Sequence, residues 1–164
     1  MRGDGSPAAS GRRESLLHRT LVTRAELLAF LRRHRLCVQA SVSSAGTAQA
    51  AVVGFAASDD LEIVFDTIGT TRKVTNLRRN HHIALVVGWD DEQTAQIDGV
   101  ADEPRGADLD RLKKVYFATW PDGVERESWQ GITYVRVRPT WARYSDFRPG
   151  GRIVELGEAE LGRR

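Results

Sequence analysis

The chain has 164 residues, 41% hydrophobic and 28% charged, which reads as one soluble globular domain with a proper core and excludes a disordered polymer. Lys and Arg number 24 against 22 Asp and Glu, and a net charge of +2 does not mark a nucleic-acid binder. The single cysteine, Cys37, excludes an internal disulfide and a multi-cysteine zinc site, and no stretch approaches the ~20 apolar residues of a membrane span.

Residues 1–15, MRGDGSPAASGRRES, are rich in Gly, Ser, Arg and Pro and lack periodicity, so a mobile arm is expected ahead of a domain at 16–148. No apolar run follows Arg12-Arg13 as an export signal requires, and a cytoplasmic location is expected. Thr23-Arg24-Ala25-Glu26 has the pattern of a capping box, and Leu27, Leu28 and Leu31 then follow at helical spacing, predicting a first helix that ends near Arg35. The period next changes to two. Leu36, Val38, Ala40 and Val42 alternate with Cys37, Gln39, Ser41 and Ser43, the mark of a half-buried strand in which Cys37 is a structural thiol.

Ser44-Ala45-Gly46-Thr47 signals a turn, residues 48–56 a second strand and residues 61–66 a third. A polar stretch at 67–80 interrupts before strands at 82–89 and 94–103, and connections this short imply antiparallel pairing. Asp108 is placed to cap a second helix carrying Leu109, Leu112, Val115 and Tyr116 on one face, ending at Trp120-Pro121. A loop crosses 122–131. Two final strands are expected at 132–138 and 141–147, with Pro139 only where no ladder amide is required, and residues 149–164 are expected as a loose tail. Many short strands with few helices point to a small barrel.

The informative segment is Thr70-Thr71-Arg72-Lys73-Val74-Thr75-Asn76-Leu77. Two hydroxyls precede a guanidinium and an ammonium, and Val74 and Leu77 are spaced as the inner face of a short helix. A helix N-terminus offers free amide groups and the positive end of a dipole, Arg72 a planar fork and Lys73 a mobile charge, so the segment suits a phosphomonoester. A solvated basic turn, continued by Arg78 and Arg79, is the plainer alternative. His81 and His82 are adjacent, so on a strand their rings point to opposite faces and do not chelate one metal. Asp90-Asp91-Glu92 falls in a hairpin turn, and no Ser-His-Asp arrangement, phosphate-binding loop of Walker type or GxGxxG is present.

The order helix, two strands, then LEIVFDTIGTTRKVTNLRRNHHIALVVGW resembles the pyridoxamine 5′-phosphate oxidase-like superfamily of flavin-binding split barrels. The likeness rests on Thr71, Arg72, Lys73, Leu77 and Asn80, on Trp89, on TAQIDGVADE with Gly99, and on the closing GITYVRVRPTWARYSDF. It implies a mainly β fold with α elements: a six- to seven-stranded antiparallel split β-barrel with two or three flanking helices, assembled as a homodimer with FMN at the subunit interface. In that likeness Thr70, Thr71, Arg72 and Lys73 meet the cofactor phosphate, and Val64, Phe65, Asp66 and Thr67 face the ring. Thr94 and Gln96 bond the ring or ribityl chain, and Trp141 and Arg143 close the pocket from the partner.

The pyridoxamine-phosphate oxidases proper carry Arg and Lys on the second strand where this chain has Ala51 and Ala56, which argues against a phosphorylated B6 vitamer as substrate. The chain resembles instead a short branch that includes users of the deazaflavin F420, which stands as the alternative cofactor. The expected activity is hydride transfer to or from a small organic molecule, with no side chain assigned as catalytic and no metal site. Two rival readings are a flavin carrier or sensor without turnover and an oligonucleotide-binding barrel. The latter lacks aromatic residues interleaved with Arg72, Arg78, Arg79 and Arg136.

Overall fold

Thr23 opens the first helix, α1 (Arg24–Arg32), in the computed structural model, which describes residues 22–162. The Thr23 hydroxyl accepts from the Glu26 amide while the Glu26 carboxylate accepts from the Thr23 amide, so the predicted capping box forms. The helix stops three residues short of Arg35. The arm expected at 1–15 lies outside the described residues.

Eight strands follow: β1 (Leu36–Val42), β2 (Ala48–Gly54), β3 (Ala56–Ala57), β4 (Ile63–Ile68), β5 (His82–Val87), β6 (Gln93–Asp102), β7 (Ile132–Asp146) and β8 (Ile153–Leu156). They pair antiparallel in the order β2-β1-β5-β6-β7-β4-β3, with β8 added alongside β7. The two ends of that path, β2 and β3, are separated in the chain only by Phe55, whose amide donates to the Arg35 carbonyl at 3.0 Å. One bent run of chain therefore borders both ends of the sheet, and the curled sheet is a split barrel.

The inner face buries Cys37, Phe55, Ile63, Phe65, Leu85, Val87, Ile97, Val135 and Val137. Burial pushes the Cys37 thiol up to about 12, and it is a packing group rather than a nucleophile. Leu27, Phe30 and Leu31 of α1 close the end where β1 begins and β7 finishes, with Phe30 edge-on to Tyr144. Val74 and Leu77 of α2 (Arg72–Arg79) close the opposite end.

Helix α3 (Gly106–Thr119) lies on the outer face of β3, β4 and β7, where Leu112 and Tyr116 pack on Ala56, Val64 and Tyr134. Its N-cap is Arg105, not Asp108. Asp108 sits in the first turn and bonds Arg111 and Arg136, so its carboxylate ties the helix to the sheet instead of capping it. The predicted loop at 122–131 contains one further turn of helix, α4 (Gly123–Arg126).

Two expectations at the C-terminal end change. The strands predicted on either side of Pro139 are one continuous strand of 15 residues. The register shifts between Asp98 and Gly99, so Pro139, which has no amide proton, is accommodated at a bulge. Beyond Pro149 the chain is not a loose tail: β8 pairs with residues 142–145, and Leu161 is buried in the main core. The buried apolar side chains Val154, Leu156 and Leu161 are what recruit it.

Gly99 is required by proximity. A Cβ there would lie 2.7 Å from the Arg138 carbonyl oxygen and 2.8 Å from Val137 Cγ1. Gly99→Ala is expected to force β6 from β7 and cost about 1–3 kcal/mol. Thermal unfolding followed by circular dichroism checks this, and an unchanged Tm would show that the bulge yields freely.

Candidate functional site

The turn after β4 delivers a cationic corner. The Gly69 amide bonds the Gly131 carbonyl at 2.8 Å and the Thr71 amide bonds the Ile68 carbonyl at 3.0 Å, which aims α2 across the barrel mouth. Thr71 is the N-cap in an extended conformation, yet its hydroxyl makes no capping bond and the first turn carries no acidic residue. The amide groups of that turn are consequently left uncapped at the positive end of the helix dipole. Lys73 Nζ donates to Thr67 Oγ1 at 3.3 Å, and Thr67 Oγ1 lies 3.5 Å from Thr71 Oγ1. Arg78, by contrast, is tied off: its fork grips both oxygens of Glu103 at 2.7 Å and holds that carboxyl below its usual range. Among the described residues, Arg72 and Lys73 face no carboxylate within ion-pair distance.

This corner opens on a cleft of about 580 Å³ at the split of the barrel, between β2 and the start of α2. Thr70, Thr71, Arg72 and Lys73 line one side, Gln49, Ala50 and Ala51 the other, with Gln39 and Ser41 also in the wall. Four of the twelve predicted site residues therefore line one cleft, with Thr67 bonded to it through Lys73.

The other predicted residues lie elsewhere. Val64 and Phe65 are fully buried, Val64 under α3 and Phe65 in the barrel core. Asp66 points beneath α3 and α4, where Tyr116 Oη and Arg126 Nε each donate to its carboxylate at 2.7 Å. Burial, and then the Asp66 carboxylate beside it, push the Tyr116 hydroxyl well above its usual range. Thr94 donates to the Val87 carbonyl at 3.4 Å. Gln96 pairs with Arg143, and Asp98 with Trp141, across β6 and β7, so Gln96, Trp141 and Arg143 share an outer-face patch that does not line the cleft.

The residues that sequence reasoning missed are polar and buried. Gln39 is 1% exposed and Ser41 2%, while Leu36, Val38, Ala40 and Val42 on the same strand face outward. The period of β1 is as expected, but its burial is the reverse of the usual apolar-in rule. Asn76 Nδ2 donates to Ser41 Oγ at 3.1 Å and to Gln49 Oε1 at 2.9 Å, which explains why the polar set turns inward. Gln39 Oε1 is buried with no hydrogen-bond partner. The one signal in the sequence was the row Gln39, Ser41 and Gln49 at strand spacing, opposite a more apolar row.

Among the described residues, no helix lies on the outer face of β2, β1 and β5. Register pairs set Val38 beside Val52 and Val86, and Ala40 beside Ala50 and Ala84. Leu36 is 45% exposed and Val52 60%, so a contiguous apolar surface is open to solvent.

Comparison with known proteins agrees with this architecture. Residues 23–146 match the family described as Pyridoxamine 5′-phosphate oxidase, and the chain belongs to that family. No curated protein matches the sequence. Among solved structures, the heme binding protein from Mycobacterium smegmatis superposes with a TM-score of 0.74 at 14% identity, over 88% of this chain and 62% of that one. The present chain thus spans less than two thirds of that protein's length. HutZ, the heme storage protein from Vibrio cholerae, gives a TM-score of 0.63 at 13% identity, over 73% of this chain and 91% of that one. General Stress Protein 26 from Bacillus anthracis gives 0.62 at 15% identity, over 81% and 98%. At such identities the likeness is one of fold. No helix among the described residues is long and apolar enough to cross a membrane.

Proposed function

We propose that this chain is an FMN-dependent oxidoreductase acting as a homodimer on a small organic substrate, with the cofactor phosphate held by Thr70, Thr71, Arg72 and Lys73. The observation that carries the reading is an uncapped helix N-terminus joined to two cations that no carboxylate among the described residues neutralises, all opening on one cleft. A phosphomonoester supplies the missing negative charge and accepts from the amide, hydroxyl and cationic donors gathered there. The residues present therefore fit the phosphate end of such a cofactor. A bound flavin would supply hydride transfer. The protein's part is to hold the phosphate, exclude water and orient the attached ring.

The bare apolar face supports the second copy. Gln96, Trp141 and Arg143 lie on neighbouring strands of the same outer surface, and the cleft reaches that surface at the exposed Ala50. In the proposed dimer these three residues, with Thr94, approach the ring from the partner, and Thr67, bonded to Lys73, borders it from the phosphate-binding copy. F420 is the alternative cofactor, supported by the exposed Arg72 at the cleft mouth, which suits a polyanionic tail. A cytoplasmic setting is part of the same proposal.

A second reading is a binder of a flat ligand without turnover. It is supported by the fold shared with heme binding and heme storage proteins and by a cleft lining of Gln, Ser, Ala, Thr, Arg and Lys, none of them a carboxylate or imidazole.

Titration of the purified protein with FMN and with F420, followed by absorbance and fluorescence, tests the reading. Saturable FMN binding and a solution mass of twice 18.2 kDa are expected. Failure of both cofactors to bind would discard it. Reduction of bound cofactor by NADPH, or reduced F420 reoxidised by test acceptors, separates an enzyme from a carrier.

A further inference from the structure

A second, smaller cavity of about 200 Å³ lies where α2 meets β6 and β7, and it shares no residue with the cleft at the split of the barrel. Its floor is Val74, Leu77, Ala101 and Val135, all buried side chains of the barrel core. Its rim carries the exposed His81, just before β5, and the exposed Arg105, just before α3. We propose that this cavity binds a small carboxylic acid with an apolar body, the body against the floor and the carboxylate at Arg105 and His81.

The floor sets the size and kind of the body. An apolar cavity of about 150 Å³ accommodates benzene, so the room here suits one ring, or a chain of similar bulk, with a polar head at the mouth. An apolar lining with a few converging polar groups is the usual make-up of a small-molecule pocket.

The sign of the head follows from which charges in the wall are already engaged. Asp102 and Glu103 line the cavity, and each of their four oxygens holds a donor. Glu103 Oε1 accepts from Arg78 Nη2 at 2.7 Å and Thr133 Oγ1 at 2.9 Å, and Oε2 accepts from Arg78 Nε at 2.7 Å. Asp102 Oδ1 accepts from Arg136 Nε at 2.8 Å, and Oδ2 from Arg136 Nη2 at 2.6 Å and Arg138 Nη1 at 3.1 Å. An ammonium ligand would have to share oxygens that guanidinium groups already occupy.

The rim differs. Among the described residues, the side chains of His81 and Arg105 make no hydrogen bond, and Arg105 acts on Glu103 only through space. A carboxylate brings two acceptor oxygens to these donors, one guanidinium fork and one imidazole N–H. An uncharged ligand of the same shape would leave them to water.

The test titrates the full chain with benzoate, with benzylamine, which reverses the charge on the same ring, and with benzyl alcohol, which removes it. Binding is followed through the methyl NMR signals of Val74, Leu77, Ala101 and Val135. Benzoate is expected to shift them saturably with a Kd of about 1 mM or tighter, and the other two to bind at least about tenfold more weakly. Arg105→Gln alters an exposed side chain and is expected to weaken benzoate about tenfold, leaving Tm, benzyl alcohol and FMN binding unchanged. Ala101→Val fills part of the floor and is expected to weaken all three ring probes; Arg105→Gln decides the matter if that variant does not fold. Four results would each overturn the proposal: no saturable shift at these methyls, shifts confined to residues 49–51 and 70–73, benzylamine bound as tightly as benzoate, or benzoate affinity untouched in Arg105→Gln. None of them bears on the phosphate corner, which FMN titration reads separately.

Discussion

Replacing Arg72 and Lys73 together by Ala is expected to weaken FMN binding by more than about tenfold, because each charged hydrogen bond to phosphate contributes about 1.5–3 kcal/mol. The loss should fall on FMN and spare riboflavin, which has no phosphate for these side chains to meet. Folding should be preserved: Arg72 is exposed, Lys73 bonds only the Thr67 hydroxyl among the described residues, and Ala favours helix. Raising the salt concentration should mimic part of the effect in the wild type, since an exposed cation is screened. Fluorescence titration at two ionic strengths measures this. An FMN affinity untouched by the double substitution would remove the corner from the site.

The largest effect on stability is expected from Arg136→Met. Arg136 is 9% exposed and binds three carboxylates: Asp102 through Nε at 2.8 Å and Nη2 at 2.6 Å, Asp108 at 3.0 Å and Glu62 at 3.3 Å. One guanidinium thus joins β6, β7, the segment before β4 and the first turn of α3. Its removal leaves Glu62, itself 8% exposed, to Arg111 at 2.7 Å, and Asp102 to Arg138 at 3.1 Å. With those partial partners retained, a loss of about 3 kcal/mol is expected, the lower end of what breaking a buried pair costs.

The pH dependence carries a sign. Burial of Asp102 opposes its charge, but Arg136 and Arg138 outweigh it and hold the carboxyl below its usual range. The stability it contributes is therefore present above its unfolded pKa and lost as pH falls through the folded one. In the variant the same carboxylate is under-compensated, and protonation relieves it. Urea unfolding should show the gap between wild type and variant narrowing below about pH 4. A gap under about 1 kcal/mol at neutral pH would class the network as surface pairs.

Local chemistry made much of the molecule legible. The Thr23–Glu26 capping box, the change of period at Leu36 and the Thr-Arg-Lys turn with Val74 and Leu77 on its inner face are each set by residues within one or two turns of one another. The family resemblance was carried by that segment together with Trp89, the stretch at 94–103 and the closing residues 131–147. Asp66 illustrates the limit: it adjoins Thr67 in sequence, but Tyr116 and Arg126, 50 and 60 residues away, draw its carboxylate beneath α3. The C-terminal strand was obscured by Gly and Glu, because its few apolar side chains gain burial only once β7 is in place.

What the sequence determined by itself was the kind of the elements from α1 to α3 and the chemistry of the turn at 70–73, since both depend on backbone preference and nearest neighbours, whereas α4 and β8 were not legible in it. Which face of each strand turns inward was decided by the tertiary structure. A period of two states that the faces differ, but the choice between them follows from what covers each. Asn76 draws Ser41 and Gln49 inward, α3 covers one stretch of the outer sheet, and the apolar row from Leu36 to Val42 is left facing outward.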